Sequence, residues 1–566
     1  MGAFVANIPV LVVGAGPVGL ALAGDLGWRG VACTVLERGD GTIAQPRMDM
    51  VGMRTMEFAR RWGIVDWVEN SPYPRDYPQD NAYVSALTGF EFEREPFPSM
   101  ADAVNLPQTP QRRERCPQNM FDPILTRFAL AQESVAIRYR SEVVGITQHQ
   151  DAVEVAVKSR DTGAIEELTA SYVVGCDGGD SGIRQLLGIQ RSGSAALTYT
   201  TNVIFRCPDL EELHDKRKAY RFICIGPEGT YATIVAINGK DNWRMSIIGD
   251  GTPRRLSDSD IHAAIRRAVG VDFDYEILSV MHWVRSELIA DEYRRGRVFL
   301  AGDAVHVMSP TGGFGMNTGI GDAVDLSWKL DAVLSGWGGP RLLDSYQAER
   351  RPVGIRNAGE ATANLRNMLS PRTTPPPPEA FEPGPAGDAA RAEFGRNFKE
   401  LMTREWYAVG IHLGYRYEAS PVCWDEGDPV PDNPVASYEQ SARPGGRAPH
   451  VWLADGSSTL DLFGRGFILL RSGDDPPLGA ELAAAAAEQG VPLRVVRLPD
   501  VAVAEAYQYR LVLVRPDGHV AWRGDADPDD PAAIIALVRG AADADDEAAD
   551  SGRALASDGR AEGETG

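Results

Sequence analysis

The first forty residues leave little choice of fold. Residues 10–13 are an apolar run, and Gly14-Ala-Gly16-Pro-Val-Gly19 follows at once. Residues 20–26 have a helical pattern, and a second β-type run, 32–36, ends at Glu37. Strand, G-x-G-x-x-G, helix, strand and acid, in that order, predict a βαβ unit that grips a dinucleotide. Gly14 permits the tight turn, Gly16 lets a pyrophosphate approach, and Gly19 lets helix and strand pack closely. Glu37 is placed to accept a hydrogen bond from a ribose hydroxyl.

A second signal lies far along the chain. Residues 296–330 read as a short strand, 298–301, that stops at Gly302-Asp303. A loop rich in Pro and Gly, 310–315, leads to a helix expected from about Asn317. An acid at a strand end can accept from a polyol. The glycine loop lets backbone N–H groups come close, and a helix start offers unpaired N–H groups to an anion.

Composition removes other classes. The net charge of −22 argues against nucleic acid or an anionic membrane as the main partner. No run is long and apolar enough to span a bilayer. The apolar start lacks a basic segment and is not read as a signal peptide. The six cysteines are scattered without a C-x-x-C, which suits a reducing cytoplasm and leaves no dithiol or structural zinc motif. The eight histidines show neither H-x-x-x-H nor H-E-x-x-H, so no metal is expected.

Between the signals the chain reads as helix near 54–62, helix over 119–131, strands over 135–157, and a short strand, 172–175, ending at Cys176-Asp177-Gly178. Residues 196–285 are strand-rich, notably 230–237 and 243–248. A helical stretch over 341–367 precedes a Pro-rich linker, 370–388. Strands at 467–470, 493–496 and 511–514 then alternate with helices at 478–489 and 532–538. Residues 541–566 lack large apolar groups and are expected to be disordered.

Three motifs now stand in order: Gly14-x-Gly16-x-x-Gly19 with Glu37, then Gly175-Cys-Asp177-Gly178-x-x-Ser181-x-x-Arg184, then Gly302-Asp303 with its loop. This order resembles the single-component FAD-dependent aromatic hydroxylases with the p-hydroxybenzoate hydroxylase fold. The longer branch looks closer still: phenol, 3-(3-hydroxyphenyl)propionate, resorcinol and aromatic polyketide hydroxylases. Members of that branch carry a C-terminal thioredoxin-like domain. Residues 444–541 are similar to it, notably Leu513-Val-Arg-Pro-Asp-Gly-His-Val-Ala-Trp522.

The resemblance implies an α/β protein. Its Rossmann-like FAD domain would be discontinuous (1–75, 101–190 and 285–368), with an inserted β-sheet substrate domain (76–100 and 191–284). A linker and helical segment (369–443), a thioredoxin-like domain without redox cysteines (444–541) and the tail (542–566) complete it. FAD is the implied cofactor, and NADPH or NADH the transient co-substrate. A small phenolic aromatic and O2 are the implied reactants, with a homodimer and a cytoplasmic location the matching expectations.

Carried over residue by residue, Gly14, Gly16 and Gly19 would line the FAD pyrophosphate, and Glu37, with Arg38 beside it, the adenosine ribose. Arg47 matches an arginine near the cofactor, and Arg115 and Gln118 a pair on the flavin side. Asp303 would bind the ribityl chain. Pro310, Gly313, Gly315, Met316 and Asn317 would run beside the isoalloxazine ring. Asp177 matches an acid associated with both FAD and the nicotinamide. Phe314 departs from the glutamine of many relatives, so only its backbone role carries over.

In that family, reduced flavin and oxygen form a C4a-hydroperoxide, which an electron-rich phenol attacks. The pocket should be dry and aromatic, and Tyr220, Phe222, Tyr231 and Trp243 are the candidate walls. No general base is assigned. His306 reads best as packing behind the cofactor loop, and Arg54 and Arg221 are candidate anchors whose default reading is surface arginine. Two other readings stay open. One is a related oxygenase performing epoxidation, ring cleavage or rearrangement on a polyketide-like substrate. The other is a flavin-binding protein without turnover that acts by interaction. A second G-x-G-x-x-G, a Trp-x-Trp-x-Ile-Pro and a paired-cysteine motif are all missing, which sets aside two-dinucleotide oxygenases, flavin halogenases and disulfide reductases.

Overall fold

A computed structural model describes residues 8–43 and 45–541. The chain divides into two compact units. One runs to Ser327 and takes in Arg350–Tyr415 and Pro431–Glu439; the other takes in Trp328–Glu349, Arg416–Val430 and the chain from Gln440 onward.

The first unit is built on a sheet whose central strand is Ile8–Val13. It is parallel to Cys33–Leu36 on one side and to Ile165–Gly175 on the other. Val135–Arg138 and Val298–Leu300 extend the sheet outward in the same sense. Such strands are covered on both faces, which is why they read as unbroken apolar runs. The register sets Val13 level with Leu36 and Gly175, and Gly175 level with Leu300. The turns carrying Gly14, Glu37, Asp177 and Asp303 therefore leave the sheet at one edge, the carboxyl ends where such folds bind ligands. Helix Pro17–Arg29 closes the βαβ unit and ends at Gly30, whose φ of 95° is the left-handed helix stop.

A second sheet of eight strands belongs to the same unit. It runs from His306–Val307 and Glu276–Ala290 through Arg191–Arg206, Asn242–Ile248, Gly229–Ala236 and Arg221–Gly226 to Asn81–Val84 and Glu91–Glu95. Side chains alternate between its two faces. Val203, Phe205, Phe222, Ala232, Ile234, Trp243 and Met245 take one face and form a core with Ile261 and Ile265 of helix Asp258–Val269. Arg221, Ile223, Arg244, Ser246 and Ile248, of opposite parity, take the other.

The Pro-rich stretch expected as a linker folds instead onto this second sheet. Arg372 donates to the carbonyls of Thr230, Ile248 and Gly249, and Ala380 is buried with Phe92 and Phe398. Helix Pro385–Trp406 follows, with proline in its first turn. Proline here stiffens a segment that packs, rather than spacing two domains.

The second unit carries a four-stranded sheet ordered Leu493–Leu498, Phe467–Ser472, Leu511–Val514, Val520–Gly524. The first two strands are parallel and the last two form an antiparallel hairpin. With helices Ala480–Glu488, Val501–Tyr507 and Pro531–Val538 this is the thioredoxin topology. Trp328 and Trp337 pack with Phe467 in its core. Inside lies an ion network. Glu349 accepts from Lys329 at 2.5 Å and from Arg515 at 2.5 Å, and Arg515 also pairs with Asp517 at 2.7 Å. All six cysteines are free and buried, and none lies in 444–541. Among the described residues no helix is long and apolar enough to cross a membrane, and no cluster of His, Cys, Asp or Glu could hold a metal. The tail expected to be disordered, 542–566, lies outside the described residues.

Candidate active site

The dinucleotide turn is forced by its neighbours. Gly14 has φ of 107°, and a Cβ there would sit 2.5 Å from the Cys176 carbonyl oxygen. At Gly19 a Cβ would meet the Gly14 carbonyl at 2.0 Å, while at Gly16 it would meet nothing within 4 Å. The outer glycines thus answer to packing, and the middle one faces open space, as a pyrophosphate cradle requires. Glu37 accepts from the Ala15 N–H at 2.9 Å and the Gly39 N–H at 2.6 Å, which fixes its carboxylate beside the turn. Each of its oxygens keeps a lone pair for a ribose hydroxyl. Arg38 is exposed beside it. Asp177 accepts from Ser181 at 2.5 Å and from the Ile183 N–H at 3.1 Å; its carboxylate starts the helix Gly182–Leu186.

The second half of the cradle meets the first through one side chain. A Cβ at Gly302 would lie 2.9 Å from Val18, and one at Gly319 2.6 Å from it. Asp303 is accessible although protein atoms crowd around it, the signature of a side chain on the wall of a recess. The crowding raises its carboxyl pKa, with His306 and Arg47 opposing. Asp322, which the sequence reading missed, holds the turn. It accepts from the Gly302 N–H at 3.1 Å, His306 at 2.7 Å and Arg350 at 2.8 Å, all buried. Burial pushes its pKa up, and His306 and Arg350 beside it outweigh burial, so the carboxyl lies below its ordinary range. An acid beside Ile320, Ala323 and Val324 in the helix was the available signal for it. His306 is therefore tied behind the turn.

The loop after Asp303 turns at Gly312 and Gly313, with φ of 89° and 69°. Helix Phe314–Leu334 begins there, two to three residues before the expected Met316-Asn317. The Phe314 ring folds back over Gly312, which lets the helix start earlier. Asn317 accepts from Gly52 N–H and Thr55, each at 2.7 Å, and donates to Met50 and Gly313 carbonyls. Its side chain fastens the helix start to the chain at 50–55. A Cβ at Gly315 would lie 3.7 Å from Met308 and 4.0 Å from Asp303, and Pro310 is exposed.

Arg115 is held by Asp49, and Gln118 by the backbone of Arg47. Arg115 pairs with Asp49 at 3.0 Å, bonds Gln79 at 3.0 Å, and lies 3.4 Å over the Tyr220 ring. Arg244 reaches the other Asp49 oxygen at 3.2 Å, where the Tyr220 hydroxyl also donates. Gln118 accepts from the Arg47 N–H at 3.0 Å. Burial pushes Asp49 up, and the two arginines hold it below the usual carboxylate range.

The expected pocket walls separate. Phe222 and Trp243 are 2% and 1% exposed in the core under helix Asp258–Val269, and the Trp243 indole donates to the Cys207 carbonyl at 3.0 Å. Strand parity turns both away from the cofactor side. Tyr231 donates to the Ser85 carbonyl at 2.8 Å beneath Arg267, and Tyr220 belongs to the Asp49 network. The opposite face carries Arg221, whose pair is Glu405 at 2.9 Å. Glu405 also accepts from the Gly312 N–H at 3.2 Å, so one carboxylate joins the cofactor loop to this face. Arg54, 7% exposed, pairs with Glu57 at 2.8 Å. Neither arginine is the surface residue that default reading supposes. His412 stands against Phe314 and Gly52, and burial plus Arg113 lowers its pKa to about 4. A cavity of about 440 Å³ lined by Glu91, Arg94, Arg217 and Lys399 shares no residue with this constellation.

A doubly anchored dinucleotide cradle beside a separate eight-stranded sheet defines a flavoprotein of the aromatic hydroxylase fold. Residues 7–361 match the family described as FAD binding domain, and residues 441–542 that described as aromatic-ring hydroxylase, C-terminal. A putative polyketide hydroxylase of Streptomyces halstedii is 34% identical, over 92% of this chain and 94% of that protein. The rebeccamycin biosynthetic enzyme RebC with reduced flavin is 39% identical with a TM-score of 0.87, covering 94% of this chain and 99% of that one. Aklavinone-11 hydroxylase with FAD and aklavinone is 30% identical with a TM-score of 0.78, covering 95% and 100%. The chain belongs to the FAD-dependent aromatic-ring hydroxylase family. It is an enzyme, and FAD is its cofactor.

Proposed function

We propose that this enzyme hydroxylates a phenolic, multi-ring aromatic compound, using NAD(P)H and O2. The observation that carries the reading is Glu405, which holds the Gly312 N–H of the cofactor loop and Arg221 of the second sheet together. It fixes the sheet face opposite the loop, as a hydroxylase must fix substrate against flavin. The polyketide and the aklavinone named for two relatives support a polyketide-like aromatic substrate.

Bound FAD supplies hydride uptake from the nicotinamide and activation of oxygen. Gly14, Gly16, Gly19 and Glu37 would hold its adenosine diphosphate half, Asp303 its polyol. Helix Phe314–Leu334 starts without an acidic residue in its first turn, so its positive end can hold negative charge at the ring. His412 stays neutral at physiological pH and presents an imidazole rather than a second cation beside Arg113. Arg221 and Arg244, each held by a carboxylate, orient polar groups of the substrate.

The test uses the purified yellow protein with NADH or NADPH and a panel of phenols, catechols and polycyclic quinols. The expected result is faster nicotinamide oxidation with at least one member and a product heavier by one oxygen atom. A panel without stimulation or oxygenated product would refute the reading.

A further inference from the structure

Arg285 is a buried cation with no carboxylate partner among the described residues. It lies on strand Glu276–Ala290, opposite Thr198, and is 4% exposed. Its Nε donates to the Thr200 hydroxyl at 3.2 Å, and its Nη1 is buried with no hydrogen-bond partner. No carboxylate among the described residues comes within ion-pair distance of it. The other cations of this face are accounted for: Arg221 by Glu405, Arg244 by Asp49, and Arg372 by three backbone carbonyls. Burial, then the charges of Arg221, Arg244 and Arg372, lower the Arg285 pKa to about 9, with Glu405 opposing. A guanidinium kept charged, dry and unpaired is costly unless something completes it.

Its position says what completes it. Three residues on, Leu288 pairs with Val307, just before the cofactor loop. Arg285 thus stands at the end of the sheet that meets the loop, on the face opposite the apolar core. Thr200 occupies Nε, which leaves the Nη1 and Nη2 side of the fork for a planar anion with two oxygens. The Trp283 ring, 5.8 Å away, offers a flat apolar neighbour. In a chain of net charge −22 this inner face carries excess positive charge.

We propose that Arg285 binds a carboxylate on the aromatic substrate, making the enzyme selective for an aromatic acid. The inference rests on the hydroxylase reading for the word substrate, but the anion site is tested apart from turnover. One- to four-ring hydroxyaromatic acids and their methyl esters would be titrated into the holoenzyme, following the absorbance of oxidised flavin. The wild type should bind at least one acid tenfold or more tighter than its ester. Arg285→Met should weaken the acid at least tenfold and the ester less than twofold, and Arg285→Lys should fall between. The flavin midpoint potential of R285M should match that of the wild type. No acid preference anywhere in the panel overturns the proposal, as does an R285M enzyme that keeps the preference. So does a shifted potential without a change in acid binding, which would assign Arg285 to the flavin. Acid preference lost in R285M with no compound oxygenated upholds the anion site and removes the hydroxylase reading alone.

Discussion

Asp303→Asn separates holding the cofactor from holding the fold. Asp303 makes no hydrogen bond to protein among the described residues, and the protein around it raises its pKa. A carboxyl raised in the folded state opposes folding once pH exceeds its ordinary value, so removing the charge leaves the apoprotein as stable as before or slightly more so. The polyol of FAD loses a charge-assisted acceptor worth about 1.5–3 kcal/mol. That corresponds to FAD binding weaker by about ten- to hundredfold. The assay is fluorescence titration of apoprotein with FAD, alongside urea melts of the apoprotein. An affinity unchanged in D303N would refute the assignment of Asp303. A melt lowered as far as the affinity would show that Asp303 supports the turn rather than the ligand.

Asp322→Asn should do the reverse. It removes the charge facing His306 and Arg350, so the apoprotein should lose about 3–5 kcal/mol in urea melts. An unchanged midpoint would refute the role given to Asp322. The His412 imidazole titrates near 4, below its ordinary value of 6.5, so the unfolded chain takes the proton first. Its contribution is complete above about pH 6.5 and is lost as pH falls toward 4, amounting to about 3 kcal/mol. His412→Gln should flatten the stability profile over that window, and an identical acid limb would contradict it. Glu349→Gln breaks the buried network of the second unit and should cost that unit about 3–5 kcal/mol, seen as faster proteolysis within 440–541. Equal cleavage rates would sink this prediction.

The two turns and their acids were legible because each is local. Gly14 to Glu37 is one βαβ unit, and Gly302-Asp303 ends one strand; a short window contains the turn, the acid and the helix start. What escaped depends on pairs far apart in sequence. Arg221 and Glu405 are separated by 184 residues, and Asn317 and Gly52 by 265. No window displays them, and the prolines before Glu405 resemble a linker whether or not the chain packs. Phe222 and Trp243 fall in the core for a different reason. Period-two alternation says that Phe222 and Trp243 share a face with Cys224 and Met245, but it does not say which face meets the cofactor.

That ambiguity has a physical resolution. A sheet buried on both sides needs apolar residues wherever it meets another element for good, and polar residues only where a ligand or a fixed partner answers them. Large aromatics at 222 and 243 therefore mark the permanent core. The arginines at 221, 244 and 285, costly to bury, mark the face that expects a partner. Read this way, alternating aromatic and arginine along one strand identifies the binding face by its arginines. Two of these arginines pair with carboxylates of the chain, and Arg285 is the one that no carboxylate among the described residues pairs with.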